Sequence, residues 1–199
     1  MAYTTSSKIS NFLLINIDSS FDSQITEWIS VVKEYIDDYC GREFEEESAT
    51  YKLYDGDGSR ELLIDDLLTL TKIEILNEDG EVEYTIDGSH DYYLYPANKT
   101  PKTRIILEPL NADIGHFPKG RQNVKITGTF GFASTVPEDI SFAATKLVAA
   151  IIQEGNYDIG SEIKSEKLGE YTVTYQEVSE MAERLGINDI LDRHKKIVV

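Results

Sequence analysis

Two segments with helical periodicity lie far apart in the chain, and short alternating segments lie between them. In the first, apolar residues recur at intervals of three and four positions, which places them on one helix face. They are Ile25, Trp28, Ile29, Val32, Ile36 and Tyr39. Ser20 and Asp22 offer N-cap oxygens, and Gly41 stands where a left-handed C-cap is needed. The pattern predicts a helix that ends at Gly41, after which the chain turns back and brings Phe44 into the core.

The second helical segment begins at Pro137, which fits the first helical position because its missing N–H costs nothing there. Glu138 and Asp139 complement the positive end of the helix dipole. The apolar stripe includes small residues, which allow close approach of another helix, and consists of Ile140, Ala143, Ala144, Leu147, Val148 and Ile151. We therefore predict a helix that ends at Gly155 and packs against the first one.

Turn residues divide the region between the two helices into short apolar segments. Asp55-Gly56-Asp57-Gly58 and Glu78-Asp79-Gly80 are examples of this punctuation. The predicted strands are Thr50–Tyr54, Glu61–Ile64, Leu70–Leu76, Val82–Ile86, Tyr92–Tyr95, Thr103–Glu108 and Asn123–Phe130. Gly128 and Gly131 at the end of the last strand fit no phosphate-loop motif. We interpret them as the place where the strand leaves the sheet and the chain turns towards Pro137.

The remaining segments are more polar. Met1–Ser10 predicts a flexible N-terminus, and Asn11–Ile17 is compatible with a short strand or an early helical turn. Asp158–Glu170 predicts an exposed arm, and Glu170–Tyr175 a strand or an extension of that arm. The C-terminal expectations are a short helix over Ser179–Leu185 stopped by Gly186, a last turn from Asn188 to Leu191, and a basic end at Arg193–Lys196.

Together these patterns predict an α+β fold. Residues 1–49 and 133–199 would form a small helical bundle, in which the N-terminal helix packs on the helix of residues 137–154 and short C-terminal helices are added. Residues 50–132 would form a large antiparallel β insertion.

Composition narrows the function classes. The chain has 199 residues and a formal net charge of −17, which disfavours a nucleic-acid-binding surface because phosphate binding requires Lys and Arg. A single cysteine, Cys40, excludes an internal disulfide and is typical of a reducing compartment. No apolar run approaches the roughly 18 residues of a membrane span. No signal peptide is visible, so the sequon Asn98-Lys99-Thr100 is expected to be idle.

The charge is unevenly distributed. Asp37–Asp91 contains 18 acidic and 4 basic side chains, whereas Lys99–Lys125 contains 6 basic and 2 acidic ones. A solvated acidic surface is the simpler interpretation. The more specific interpretation is that faces of opposite charge meet when copies of the chain assemble.

One loop resembles the start of a calcium-binding loop. Asp55, Asp57, Ser59 and Glu61 alternate, and Asp66 stands at the twelfth position. The EF-hand pattern fails because its glycine position holds an arginine and its twelfth residue is not Glu. We favour a β-hairpin turn with solvated acids, and a melting midpoint that calcium leaves unchanged would exclude a metal site.

Catalytic and metal-binding patterns are weak elsewhere. His90, His116 and His194 lack the ligand spacing of a zinc site. Cys40 falls at the negative end of a helix, which disfavours a thiolate, so we interpret it as a packing residue. There is no GxSxG nucleophile elbow. We therefore assign no catalytic, cofactor-binding or metal-binding residue and no cofactor, and we do not expect an enzyme.

Tyrosines are abundant near the middle of the chain. Tyr92, Tyr93 and Tyr95 cluster with Tyr84. Such clusters can contact sugars or proteins, but cross-strand aromatic pairing within a sheet is the simpler interpretation.

Three segments, in this order, resemble the head–tail connector proteins (head-completion or adaptor proteins) of long-tailed bacteriophages or prophages. The first is Trp28–Phe44, which closes with Tyr39-Cys40-Gly41-Arg42-Glu43-Phe44. The second is Val124–Phe132, followed by Val136-Pro137-Glu138-Asp139-Ile140 and a helix with alanines. The third is Ile163–Tyr175, with its Lys-Ser-Glu-x-x-Gly-x-Tyr pattern.

The resemblance implies a structural virion protein at the head–tail interface, assembled in the host cytoplasm. Such proteins form a ring, here expected to be dodecameric, below the portal, where they extend the DNA channel and dock the stopper or tail. The implied partners are the portal protein, a stopper or tail-completion protein and further copies of the chain. Genomic DNA would pass through without sequence-specific binding, and no membrane is involved. Compact members are mainly helical and shorter, so residues 50–132 would be an insertion of unassigned role.

Two physical features fit this role. An acidic lumen would let DNA slide without sticking, and uneven charge suits head-to-tail contacts in a closed ring. We hypothesise that the arm Glu162–Tyr175 or the C-terminal segment Gly186–Val199 reaches the portal or a neighbouring copy.

Two other functions compete with the connector. One is a β-rich carbohydrate- or protein-binding module of a phage tail or baseplate, with the tyrosine cluster as its surface. The other is a small enzyme, for which the sequence shows no convergent catalytic set. The position of the core should separate connector from binding module. Packing of Trp28 and Val32 against Ile140 and Leu147 favours the connector, and a closed core within the sheet favours the binding module.

Overall fold

The protein has an α+β fold, and the residues that the structure describes form five α-helices and a six-stranded antiparallel sheet. The computed structural model describes residues 2–86, 88, 90–109, 114–154 and 175–196. It divides into two compact units: a helical unit of Met1–Arg42 with Val136–Val199, and a sheet unit of Glu43–Thr135. Among the described residues, no helix is both long enough and apolar enough to cross a membrane.

Every helix found in the described residues belongs to the helical unit. Their bounds are α1 Ser6–Leu13, α2 Asp22–Cys40, α3 Glu138–Glu154, α4 Tyr175–Arg184 and α5 Asn188–Leu191, with 3-10 turns at Ser19–Phe21 and Asp192–His194. Helix α3 packs against α1, α2, α4 and α5. It is therefore the central helix of this unit.

The prediction of a flexible N-terminus was wrong. Helix α1 begins at Ser6, where the Thr5 hydroxyl caps it by accepting a hydrogen bond from the Lys8 N–H. The Thr4 hydroxyl lies 2.7 Å from that of Thr145 in α3, and both residues are buried. Lys8 Nζ donates to the Ser141 hydroxyl at 2.7 Å. These polar residues look solvent-exposed in the sequence because their polar partners lie more than a hundred positions away.

Helix α2 follows the predicted apolar face. Ile25, Trp28, Val32 and Ile36 are buried, and Gly41 adopts the left-handed C-cap conformation with φ of 65°. The predicted N-cap was wrong, because Phe21 holds that position without a side-chain hydrogen bond. Asp18 instead caps the preceding 3-10 turn, where its Oδ1 accepts a hydrogen bond from Ser20 N.

Helix α3 begins one residue later than predicted. The Pro137 carbonyl accepts a hydrogen bond from Ser141 N at 2.9 Å, so the proline directly precedes the first helical residue. The predicted stripe is buried along the helix, and α3 packs against α2 as expected. The predicted stop at Gly155 and the arm of residues 158–174 lie outside the described residues.

The C-terminal helices resemble the prediction. Helix α4 begins at Tyr175, four residues earlier than expected, and Gly186 ends this region with a left-handed φ of 67°. Helix α5 spans Asn188–Leu191 as expected, although Asn188 does not cap it and Ile187 holds the N-cap position.

The sheet has the strand order β1-β6-β2-β5-β4, and β3 pairs with β2. The strands are β1 Glu47–Gly56, β2 Glu61–Leu76, β3 Val82–Ile86, β4 Tyr92–Tyr95, β5 Lys102–Leu107 and β6 Gly120–Phe130. Two predicted strands, Glu61–Ile64 and Leu70–Leu76, are therefore one long strand. Inward-facing residues on β2 change from even positions such as Leu62 to odd positions such as Ile73, because register shifts interrupt the strand between them.

The shifts in β2 divide the sheet into two halves. Residues 61–67 of β2 pair with β5, and β4 lies beyond β5; we call this the β5 half. Residues 67–76 of β2 pair with β6 and β3, and β1 lies beyond β6; we call this the β6 half. Both halves contribute to one buried cluster, which includes Leu62, Ile64, Ile73, Ile75, Ile105, Leu107, Val124, Ile126 and Phe130. The inward faces of the two halves therefore share one core.

The two ends of the sheet unit are joined to each other. Phe132 N donates to the Glu43 carbonyl at 3.0 Å, and the rings of Phe44 and Phe132 meet edge to face at 5.3 Å. Phe44 is fully buried, as predicted. Gly131 lies in this junction with φ of 124°, and its backbone passes so close to Glu45 that a Cβ would lie 2.1 Å from the Glu45 carbonyl oxygen. Only glycine fits this position.

Candidate functional surfaces

The acidic loop does not gather its carboxylates around one point. Asp57 Oδ1 accepts from Ser59 N at 2.7 Å, and Asp55 Oδ1 accepts from Gln122 N at 2.6 Å. Glu61 pairs with Arg104 at 2.9 Å, and Asp66 is buried further along β2. Across the described residues, no group of three or more His, Cys, Asp or Glu side chains could hold a metal ion.

The histidines and the cysteine are also separated. His90 and His116 belong to the sheet unit, whereas His194 belongs to the helical unit. His194 Nε2 lies 2.7 Å from Asp139 Oδ2. Cys40 Sγ donates to the Leu191 carbonyl, and burial raises the pKa of this thiol to about 11. A thiol with this pKa is almost fully protonated at neutral pH and a poor nucleophile.

The described part of the C-terminal segment is attached to its own helical unit. The hydroxyls of Tyr35 and Tyr39 donate to Asn188 and Asp192, both at 2.9 Å. Lys196 N donates to the Cys40 carbonyl at 2.8 Å. Ile187 and Leu191 are fully buried. Deleting Gly186–Val199 would therefore remove buried side chains from the core of the helical unit.

The tyrosines do not form the predicted cluster, and they do not pair with one another across strands. Tyr84 lies on β3, which pairs with β2, whereas the other three lie on β4, which pairs with β5. Tyr92 faces the core, while Tyr93 and Tyr95 face outward opposite Ile106 and Arg104. The alternation within Tyr92–Tyr95 could have predicted this division, since neighbouring residues on a strand face opposite sides.

The outward face of the β5 half combines aromatic, aliphatic and acidic side chains, and we call it the tyrosine face. Its rows across the strands follow from the register: Asp91 and Glu108; Tyr93, Ile106 and Glu61; Tyr95, Arg104 and Leu63. Tyr93 is 52% exposed and Leu63 54% exposed. Three acids accompany one arginine, so the face is acidic with apolar side chains at its centre.

The outward face of the β6 half has the opposite charge, and we call it the lysine face. Its two rows are Leu53, Lys125, Glu74 and Thr85, and Tyr51, Thr127 and Lys72. Glu74 Oε1 lies 2.6 Å from Lys72 Nζ, and Glu74 Oε2 lies 3.1 Å from Lys125 Nζ. Lys125 Nζ also lies 4.9 Å from the ring centroid of Tyr51. The buried acid thus holds two lysines and, through one of them, a tyrosine in place.

Replacing Glu74 with glutamine should destabilise the sheet unit by about 1.5–3 kcal/mol at pH 7, the usual contribution of a hydrogen bond to a charged group. The hydrogen bond from Lys72 lowers the pKa of Glu74 below its ordinary value of 4.5, although burial opposes the shift, and Lys125 lowers it further. A lowered folded-state pKa stabilises the fold above the unfolded pKa, and this stabilisation is lost as the pH falls through the folded pKa. Urea unfolding at pH 7 and pH 3 should show a deficit that shrinks at acidic pH.

The matched control is Glu61→Gln, because Glu61 and Arg104 are both about 40% exposed. An exposed pair contributes less than about 1 kcal/mol. Equal deficits for the two variants at pH 7, or a deficit for Glu74→Gln that does not depend on pH, would contradict the assignment.

The helical unit has its own exposed apolar patch at the end of α1. Leu14 is 91% exposed and has a left-handed backbone with φ of 58°. Phe12 and Phe142 of α3 meet edge to face at 6.1 Å beside it. Backbone hydrogen bonds from Leu14 and Ile15 to the Ser10 carbonyl fix this turn. Leu14 therefore carries backbone strain without contributing to the core.

Replacing Leu14 with glycine should stabilise the protein by up to about 1 kcal/mol, because glycine adopts the left-handed conformation without strain. The exposed leucine side chain contributes little packing that would be lost. Thermal unfolding of Leu14→Gly beside Leu14→Ala measures this, since alanine keeps the strain. A glycine variant no more stable than the alanine variant would refute the prediction.

Opposite charges meet within the sheet. The basic segment Lys99–Lys125 forms β5 and β6, and both strands flank β2, which belongs to the acidic segment. Arg104 pairs with Glu61, and Lys125 pairs with Glu74. Part of the uneven charge in the sequence is therefore used in ion pairs between strands of one chain. From the sequence we considered only contacts between copies for these opposite charges.

Comparison with known proteins gives a likeness in structure but none in sequence families. No protein-family model and no curated protein matches the sequence. A chain in the neck of an empty GTA particle, computed with C6 symmetry, is 14% identical with a TM-score of 0.61, over 97% of this chain and 89% of that one. A chain in the neck of the native GTA particle, computed with C12 symmetry, is 16% identical with a TM-score of 0.49, over 97% and 88%. A chain in the virion of the native gene transfer agent particle is 16% identical with a TM-score of 0.41, over 86% and 78%.

Proposed function

We propose that this chain is a structural virion protein of the neck, a head–tail connector that forms a ring below the portal. The observation that supports it most is the shared fold with a chain from the neck of an empty GTA particle, which extends over 97% of this chain. That likeness includes residues of both units, since neither unit alone makes up so much of the chain. In this role the ring extends the DNA channel and provides a docking surface for the stopper or tail.

Ring formation by copies of this chain is part of the proposal. The neck of the empty GTA particle was computed with C6 symmetry, which is compatible with rings whose copy number is six or a multiple of six. We propose twelve copies here. A formal charge of −17 per chain would give such a ring an acidic surface, which lets DNA pass without sticking.

We propose further that the sheet unit is an insertion in a helical connector core. The chain leaves the helical unit after Arg42 and returns at Val136. The two ends of the sheet unit are joined by the Phe132–Glu43 hydrogen bond and the Phe44–Phe132 contact. Adjacent ends are what an inserted domain requires, because the host fold then needs little rearrangement.

Negative-stain electron microscopy of the purified chain, alone and mixed with the cognate portal protein, tests the proposal. We expect rings of the chain alone, or added density below the portal in the mixture. Single compact particles that ignore the portal would contradict the connector function.

A second candidate function keeps some support. The position of the core does not separate the connector from the binding module, because each unit has its own buried residues. The helical unit buries Trp28, Val32, Ile140 and Leu147, and the sheet unit has its own buried cluster. Exposed Tyr93 and Tyr95 on the tyrosine face favour a carbohydrate- or protein-binding module. Glycan-array binding that Tyr93→Ala abolishes, in a chain that forms no rings, would support this alternative.

A further inference from the structure

We propose that the lysine face of one copy binds the tyrosine face of a second copy, which makes the sheet unit the site of head-to-tail self-association. The inference rests on the proposed ring and names the surfaces that close it. It commits to a second copy of this chain as the occupant of both faces.

The positions of the two faces suit a closed ring. The lysine face is carried by β1, β6, β3 and one part of β2, and the tyrosine face by β4, β5 and the other part of β2, so the two faces are different surfaces of one subunit. Two different surfaces on one subunit give a heterologous contact, which repeats from copy to copy until the ring closes. A single self-complementary surface would stop at a dimer.

Charge favours this pairing over contact between identical faces. The tyrosine face carries Asp91, Glu61 and Glu108 against Arg104. On the lysine face, the Glu74 side chain is only 7% exposed, whereas those of Lys72 and Lys125 are 43% and 28% exposed. The two rows of this face therefore have a formal charge of +1, with the lysines more exposed than the acid, although the whole chain has a formal charge of −17. Opposite faces attract, and identical acidic faces repel.

Both faces also present apolar side chains that gain by burial. Tyr51 and Leu53 are 56% and 40% exposed on the lysine face, and Tyr93 and Tyr95 are 52% and 41% exposed on the tyrosine face. Tyrosines at the centre of an interface, surrounded by polar groups, are typical of binding hot spots.

The side chains at the centre of both faces are held before any partner arrives. Glu74 fixes Lys125, and Lys125 lies over the ring of Tyr51. On the other face, Arg104 Nη1 contacts Glu61 at 2.9 Å between the rows that contain Tyr93 and Tyr95. Such preorganisation lowers the entropy lost on association.

A mixing experiment tests the contact. The first variant, Tyr93→Glu with Tyr95→Glu, alters the tyrosine face, and the second, Tyr51→Glu with Leu53→Glu, alters the lysine face. Each variant alone should lose rings and self-associate at least about 30-fold more weakly, the factor for a hot-spot loss of about 2 kcal/mol. Mixed together, they should form a one-to-one dimer and nothing larger, because only one intact pair of faces remains.

Leu14→Glu is the matched control, since Leu14 is an apolar residue that is 91% exposed and lies in the helical unit, so it belongs to neither face. It should form rings like the wild type, and unchanged far-UV circular dichroism should show that all variants fold. If both face variants formed rings like those of the wild type, or if their mixture stayed monomeric, the proposed contact between the two faces would be refuted. The proposed connector function would not be affected. A wild-type chain that forms no rings, alone or with the portal protein, would overturn both.

Discussion

Replacing Gly131 with alanine should destabilise the sheet unit by about 2–6 kcal/mol. A backbone conformation that L-residues rarely adopt costs about 1–3 kcal/mol, and forcing atoms into a packed site costs about a further 1–3 kcal/mol. Gly131 has φ of 124°, and an added Cβ would lie 2.1 Å from the Glu45 carbonyl oxygen. Its own N–H donates to the Asp66 carbonyl at 2.8 Å, so the strand cannot move away without losing that bond.

The control for this variant is Gly80→Ala. Gly80 also has a positive φ, of 79°, but a Cβ there would meet nothing within 4 Å. We expect a loss of only about 1–2 kcal/mol, which is the cost of the left-handed conformation alone. Urea unfolding followed by circular dichroism compares the two, and similar losses would show that the approach of Glu45 is not what requires glycine at residue 131.

Replacing Trp28 with alanine should destabilise the helical unit by about 3–5 kcal/mol, the usual cost of removing a large buried aromatic side chain. Trp28 is 1% exposed and is the largest of the fully buried side chains. It lies on α2, which packs against the central helix α3. Because this is the only tryptophan, unfolding should be followed by far-UV circular dichroism and not by fluorescence.

Phe142→Ala serves as the matched control for the tryptophan. Phe142 lies on α3 and is 48% exposed, with an edge-to-face contact to Phe12. Its loss should cost about 0.5–1.5 kcal/mol, the usual contribution of an aromatic pair. If the two variants were equally stable, the packing of α2 on α3 would not be the main source of stability in this unit.

Local signals predicted much of the secondary structure. The helical periodicity of Ile25–Tyr39, the glycine at residue 41 and the strands Val82–Ile86 and Tyr92–Tyr95 all depend on neighbouring residues, and the structure confirms them. Periodicity fails where a strand bends, because the alternation changes phase. This is why β2 was predicted as two strands.

The candidate surfaces were less accessible to sequence reasoning. Tyr93 and Tyr95 stood out as part of a cluster, but their neighbours Ile106 and Leu63 come from other strands through the register. The lysine face gave no signal, since Lys72 and Lys125 are far apart in sequence and meet only at Glu74.

The sequence by itself determined the α+β class, the order of the two long helices with the strands between them, and the apolar sides of those helices, because these depend on spacing along a short stretch of chain. Only the tertiary structure decided that Tyr3, Thr4 and Ile9 belong to the core of the helical unit, that Gly131 must be glycine, and that two outward faces of the sheet have opposite charge. Those properties depend on contacts between residues far apart in the chain, whose partners are fixed by strand register and helix packing.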